Sequence, residues 1–408
     1  MYIRDFRIFW IGQVISFSGT WMQSIAQGWL VYSLTKSAFY LGVIAAASSV
    51  PVLIFTLIGG VCADRFAKRS ILMITQGLSI VPALLLAILT DLRIITVWEI
   101  ALIAFFLGTV NAFDIPARQS ILAVMVQKGN LMNAIALNSA AFNGARIIGP
   151  VIAGIIIASI GVSACFYVNA LSFFAVIIAL ALIKKGEDTK GLGHEILHMW
   201  RWQTLRNEGA VLLRDLSEGL LFVKTGQYVF RIMLIVTTFS LFGIPYVTLL
   251  PIFAQDILKV GPKGLGFLAG SSGIGALTAA LGIAFRGDIE KKGLFMVIAS
   301  IVFSAALVAF SLSRHYPSSM AMQFIAGWGM VSFLAIGNSV IQISTPDALR
   351  GRVMSVYTLL FLGMAPLGNS IMGFVAEMVG TDWAVFMGGS ICLLTSILLS
   401  GHLRLLGR

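Results

Sequence analysis

The chain has 408 residues, 58% of them hydrophobic and only 11% charged, with a formal net charge of +11. An ordinary globular domain carries about 25% charged residues, so the composition excludes a soluble enzyme of usual make-up. Nucleic acid is excluded as a partner, because the basic residues are scattered over many short segments and no aromatic-basic groove module is present.

The charges lie between about twelve apolar runs, and about 20 apolar residues suffice for a helix to cross a hydrocarbon core of roughly 30 Å. The lipid bilayer is therefore the main solvent, and the spans within it must be α-helices that satisfy their own backbone hydrogen bonds. The expected spans are 6–34, 39–62, 70–90, 97–118, 133–158, 162–183, 229–256, 264–286, 293–313, 317–342, 353–377 and 381–405, which make an all-α membrane protein of twelve transmembrane helices.

The first span is too long for a signal peptide, contains Gln13, Gln23 and Gln27, and has no small-residue cleavage site, so an uncleaved first helix is expected. Between spans 2 and 3 stands GGVCADRFAKRS, which sets Gly60, Asp64, Arg65, Lys68 and Arg69 around a short turn. Span 4 carries Asp114 and Arg118 at i and i+4, and span 5 carries Asn143 and Arg146 at i and i+3. Ionisable groups at membrane depth cost about 3 kcal/mol or more unless paired, and they face the bundle interior. Asp114 is the one acid placed well inside an apolar run, since Glu99 sits near the start of span 4 and Asp256 at the end of span 7. It is the leading candidate for a proton-linked carboxylate; a permanent Asp-Arg bridge is the competing reading. On span 5, Gly144, Gly149, Pro150 and Gly154 would allow close helix approach and a bend.

One long polar interruption divides the spans six and six, giving an N-terminal bundle 1–184, a linker 185–224 with an interfacial helix, and a C-terminal bundle 225–408. The linker contains His194, Glu195 and His198 as H-E-x-x-H, a spacing that on a helix can present two imidazoles to zinc beside a glutamate base. It is too short to house a protease domain, and its third ligand would have to be Glu208 or Asp215. A membrane metalloprotease is therefore the alternative from another class, no metal site is assigned, and the preferred reading is an amphipathic surface helix with Trp200 and Trp202 at the headgroups. In the second half, Pro245 and Pro251 are expected to break span 7. The run GSSGIGALTAALG in span 8 is too apolar for a phosphate loop, and no G-x-x-x-x-G-K-[ST] occurs, so ATP is not the energy source and no cofactor is expected. Cys62, Cys165 and Cys392 read as packed thiols within apolar spans.

A weak internal repeat is visible. Residues 131–161 align with residues near 349–380, bringing Gly149, Gly154 and Gly161 onto Gly368, Gly373 and Gly380 at an offset of 219 (373 − 154). Two such halves around a linker are the form of a rocking transporter. Lysine and arginine set the orientation: with both termini cytoplasmic, the outer loops keep only Lys36, Arg93, Lys259, Lys263 and Arg314, a strong positive-inside bias.

The GGVCADRFAKRS segment resembles the cytoplasmic signature of the major facilitator superfamily, in which a glycine lets helices approach and acids and bases form a releasable conformational latch; a plain basic turn is the bland alternative. SFSGTWMQSIAQGWLVYSLTKSAFYLGV, NAFDIPARQS, ARIIGPVIAG and YVTLLPIFAQDIL are similar to the subgroup of enterobactin exporters and macrolide-efflux proteins. The resemblance covers nearly the whole chain outside the linker. It implies two pseudo-symmetric six-helix bundles and export of a small-molecule substrate, of drug or siderophore type, by a monomer in the cytoplasmic (inner) membrane, with protons as counter-substrate; uptake or uniport by the same fold is the near alternative. Gly144, Gly149, Pro150 and Gly154 resemble the antiporter signature, with a generic packing seam as the other reading. Cavity lining from spans 1, 4, 7 and 10 implies Gln13, Trp21, Gln27, Asn111, Tyr246, Gln323, Trp328 and Asn338, each of which also reads as helix packing. The chain departs in span 4, where Phe105 and Phe106 stand in place of the arginine of many proton-coupled exporters.

Overall fold

A computed structural model describes residues 2–183, 217–287 and 289–403. The long helices are α1 (Tyr2–Thr35), α2 (Ala38–Arg65), α3 (Lys68–Asp91), α4 (Val97–Met125), α5 (Leu131–Ser159) and α6 (Val162–Leu182). They continue as α7 (Gln227–Ile257), α8 (Gly261–Arg286), α9 (Lys292–Leu312), α10 (Tyr316–Ile343), α11 (Asp347–Val379) and α12 (Thr381–Leu403). Eleven of them are long and apolar enough to span a membrane. The twelfth, α1, has 34 residues and falls short only in hydropathy, because Gln13, Gln23, Gln27 and several Ser and Thr residues interrupt its apolar face.

Local chemistry explains one helix start and the interruptions within helices. At the start of α4 the Thr96 side chain caps the first turn and Glu99 accepts from the Thr96 N–H at 2.6 Å, a capping box. That helix runs on past the expected residue 118 to Met125, since Ala117, Ile121, Leu122 and Met125 all find burial. In α7 the interruptions are two π turns, Phe239–Gly243 just before Pro245 and Phe253–Ile257 just after Pro251. The first lets the Ile244 N–H reach the Phe239 carbonyl at 2.7 Å, five residues back. The helix α11 is interrupted between Leu362 and Ala365, ahead of Pro366, and the Ser240 hydroxyl donates to the Phe361 carbonyl there at 2.6 Å.

The described residues cluster into two compact units, 2–183 with 254–270, and 217–253 with 271–287 and 289–403. In the first, α2 packs along α4, α3 along α6, and α1 against α5 and α6; in the second, α9 packs along α10 and α12, and α7 along α11 and α12. Glycines set the closest crossings. A Cβ on Gly149 would lie 2.7 Å from the Ser18 carbonyl of α1, and one on Gly368 would lie 2.5 Å from the Ser240 carbonyl of α7. Gly108 meets the Ser48 carbonyl of α2 as Gly327 meets the Ser272 carbonyl of α8. Gly161 and Gly380 both have positive φ, +127° and +94°, and turn the chain into the last helix of their halves. The offset of 219 thus relates glycines that do the same job in each half (327 − 108 = 368 − 149 = 380 − 161). Cys62, Cys165 and Cys392 are buried free thiols.

Candidate functional site

Asp114 and Arg118 are the buried charged residues among those described, 4% and 9% exposed. One helical turn apart on α4, they form a two-point ion pair: Nε and Nη2 of Arg118 approach Oδ2 of Asp114 at 2.7 and 2.5 Å. The other carboxylate oxygen, Oδ1, accepts from the Thr75 hydroxyl at 2.7 Å and from Nε2 of Gln76 at 2.8 Å, both on α3. Arg118 also donates through Nη1 to Oε1 of Gln13 on α1, and its guanidinium lies 4.9 Å from the centre of the Phe17 ring. Ser16 closes the circuit with a long 3.4 Å bond to Oε1 of Gln76. A charge pair removed from water is stable only when its remaining valences are met, and here three helices meet them.

Sequence reasoning paired Asp114 with Arg118 but missed Thr75, Gln76 and Ser16. The available signal was the adjacent Thr-Gln pair inside the largely apolar third span. Asn143 and Arg146 stand elsewhere: Asn143 donates back to the Ser139 carbonyl at 2.8 Å, and Arg146 lies over the Trp21 ring at 5.8 Å.

The corresponding point in the second unit has different contents. At the 219 offset, Asp114 becomes Phe333 (333 − 114) and Arg118 becomes Gly337. Phe333 packs with Phe239 of α7 at 4.8 Å between ring centres, and Phe239 with Phe303 of α9 at 4.7 Å; all three are fully buried.

At the turn between α2 and α3, Asp64 and Arg65 are exposed, while Phe66 and Ala67 are buried and pin the loop. Arg69 reaches the Ala181 carbonyl at the end of α6 at 3.4 Å, where a cation suits the helix terminus, and Lys68 opens α3. The close helix approach assigned from sequence to Gly60 belongs to Gly59: its Cβ would overlap the Ala112 carbonyl of α4, whereas nothing lies within 4 Å of a Cβ on Gly60. On α5, Gly149 seats against α1, and Gly154 against Pro262 and Gly266 at the start of α8, within the first unit. Pro150 is buried with its carbonyl against Gly266, and Gly144 faces open space.

The expected cavity residues divide by environment. Gln13 is fully buried in the ion-pair network; Trp21, Gln27, Trp328 and Asn338 are half-buried, and Asn111 is exposed. Tyr246 is buried with its hydroxyl 3.3 Å from that of Ser272. Gln323 is fully buried with both amide atoms unpartnered, and Asn338 accepts from Gln342 at 2.5 Å. His194, Glu195 and His198 lie outside the described residues.

Solved structures share this architecture. The peptide transporter POT superposes with a TM-score of 0.74 at 13% identity, covering 99% of this chain and 95% of that one. The D-xylose-proton symporter gives 0.72 at 13% identity, with 98% and 97% covered. In sequence, the multidrug efflux pump Tap of Mycolicibacterium fortuitum is 26% identical over 383 residues, 92% of this chain and 90% of that protein. The staphyloferrin A transporter of Staphylococcus aureus is 26% identical over 384 residues with the same coverage, and macrolide efflux protein A of Streptococcus pyogenes is 18% identical over 400 residues, 96% and 94%. With residues 1–406 matching the transmembrane secretion effector family, and two pseudo-symmetric six-helix bundles of membrane-spanning helices, this chain belongs to that family of secondary transporters within the major facilitator superfamily.

Proposed function

We propose that this protein exports small amphiphilic molecules, of drug or siderophore type, across the cytoplasmic membrane by alternating access in exchange for protons. The cargo class is supported by the relatives, an efflux pump, a siderophore transporter and a macrolide exporter. The observation that carries the exchange is the buried Asp114-Arg118 pair. A coupled carrier needs a group whose protonation differs between its two states, and Asp114 is the buried acid among the described residues.

In this reading Trp21, Gln27, Asn111, Tyr246, Gln323, Trp328 and Asn338 supply aromatic walls with a few polar anchors, the make-up of a site for bulky, partly apolar ligands. Asp64, Arg65, Lys68 and Arg69, at a cytoplasmic turn, act as the conformational latch, and both termini are cytoplasmic. The halves are 1–184 and 225–408, joined by the linker 185–224, in a monomer.

A second reading has its own support: four donors satisfy the Asp114 carboxylate completely, as expected of a permanent structural bridge. Proteoliposomes loaded with siderophores, macrolides or dyes, with and without an imposed pH gradient, separate the two. Asp114→Asn is expected to abolish gradient-driven accumulation while keeping passive exchange. Accumulation by the variant against a gradient would establish the structural bridge.

A further inference from the structure

Arg118 serves two acceptors at once, Asp114 on its own helix and Gln13 on α1. Resting on the proton exchange argued above, we propose that Gln13 is a positioning residue that takes over Arg118 when Asp114 is protonated, so that the charge change on α4 is delivered to α1.

The argument begins with occupancy at the carboxylate. Oδ1 is held by two donors from α3, so Oδ2, shared with Arg118 alone, is the oxygen open to exchange. A proton arriving there forms an O–H bond and displaces two N–H···O bonds. Arg118 cannot give up its own proton, and a buried guanidinium without counter-charge is strongly unfavourable, so it must lean on its remaining acceptors. Those within reach are Oε1 of Gln13 and the face of Phe17, and both belong to α1.

Gln13 is suited to the hand-over. It is fully buried, and its Nε2 is a donor without a partner among the described residues, so Arg118 is the group there that holds its amide. The same helix carries Trp21 and Gln27, so a pull at Gln13 is felt by the proposed cavity wall. Apart from Arg118, the side chains bonded to Asp114 are neutral, Thr75 and Gln76 from α3, and Ser16 of α1 reaches it only through Gln76.

The test measures α1 against the loop that leaves the end of α3, in the full-length protein in lipid nanodiscs. Spin labels go at Ser33→Cys and Arg93→Cys, with Cys62, Cys165 and Cys392 replaced by alanine, and inter-label distances are read at about pH 5 and about pH 8. A shift of about 2 Å between the two is expected, the size of ordinary helix displacements, with Asp114→Asn giving the acid distance at both. Gln13→Met removes the acceptor at similar volume and should hold the alkaline distance at both pH values; Gln13→Leu is the second such variant should the first not fold. Gln13→Glu offers Arg118 a charged acceptor and should hold the acid distance at both. Opposite locking by the two kinds of variant is the signature, because a merely structural glutamine gives no such sign. A wild-type response in Gln13→Met and Gln13→Leu overturns the role of Gln13 while leaving proton exchange standing. A wild-type response in Asp114→Asn, or none in the wild type, overturns the exchange itself and this inference with it.

Discussion

Two junctions of three helices occupy matching places in the two halves and are filled with opposite chemistry. Where α1, α3 and α4 meet, Gln13, Thr75, Gln76, Asp114 and Arg118 form one bonded polar network. Where α7, α9 and α10 meet, Phe239, Phe303 and Phe333 pack as tilted rings in a fully buried cluster. The flanking glycine crossings are the same in both, Gly108 and Gly149 against Gly327 and Gly368. The fold therefore needs this junction filled but does not need it polar. A buried ion pair is often no more stabilising than apolar residues of equal volume. Retention of the polar filling on one side is thus better explained by what it does than by what it holds up, and it places the proposed proton handling in the first half alone.

The comparison can be broken most severely by moving the charge. Phe333→Asp puts a carboxylate among fully buried phenylalanines and is expected to cost roughly 5 kcal/mol or more. Size-exclusion profiles of the detergent-solubilised protein should show almost no folded material, and a wild-type yield would mean that the second junction tolerates charge.

Next in size is removal of one partner from the first junction. Asp114→Leu strands the Arg118 cation and should lower the unfolding free energy in bicelles by about 3–5 kcal/mol. Adding Arg118→Leu should return the protein to wild-type stability or raise it by about 1–4 kcal/mol, yet without gradient-driven transport. If the double variant remains as unstable as the single one, the network is structural after all.

Smaller and symmetric effects are expected at the crossings. Gly149→Ala and Gly368→Ala each force a methyl against a carbonyl on the neighbouring helix, at 2.7 and 2.5 Å, and should each cost about 1–3 kcal/mol by overpacking. Thermal melting of the two variants side by side checks this, and a large inequality would show that the halves are not equivalent there. The smallest effect is assigned to Ser16→Ala, which gives up a 3.4 Å bond at the rim of the network and should cost about 0.5 kcal/mol in the same assay.

Much of this was legible in the sequence. The number of spans, the six-and-six division and the Asp114-Arg118 pair follow from hydropathy and from the i, i+4 rule, both local properties. The three repeat glycines were also readable, and the structure shows what they share: Gly161 and Gly380 turn the chain, while Gly149 and Gly368 admit a neighbouring helix. Thr75 and Gln76 were overlooked because one or two polar residues in an apolar helix have no period of their own. The phenylalanine junction was invisible for the opposite reason: with 28 phenylalanines in the chain, no three of them stand out.

What the sequence by itself determined is the class of molecule, because a chain so apolar and so sparsely charged has only the bilayer in which to fold. Which way each polar side chain faces was decided by tertiary structure. Successive residues on a helix point about 100° apart, so the close approach expected at Gly60 falls to Gly59, and Arg146 meets Trp21 rather than Asp114. Composition fixes the solvent; the rotation and crossing of packed helices fix the partners.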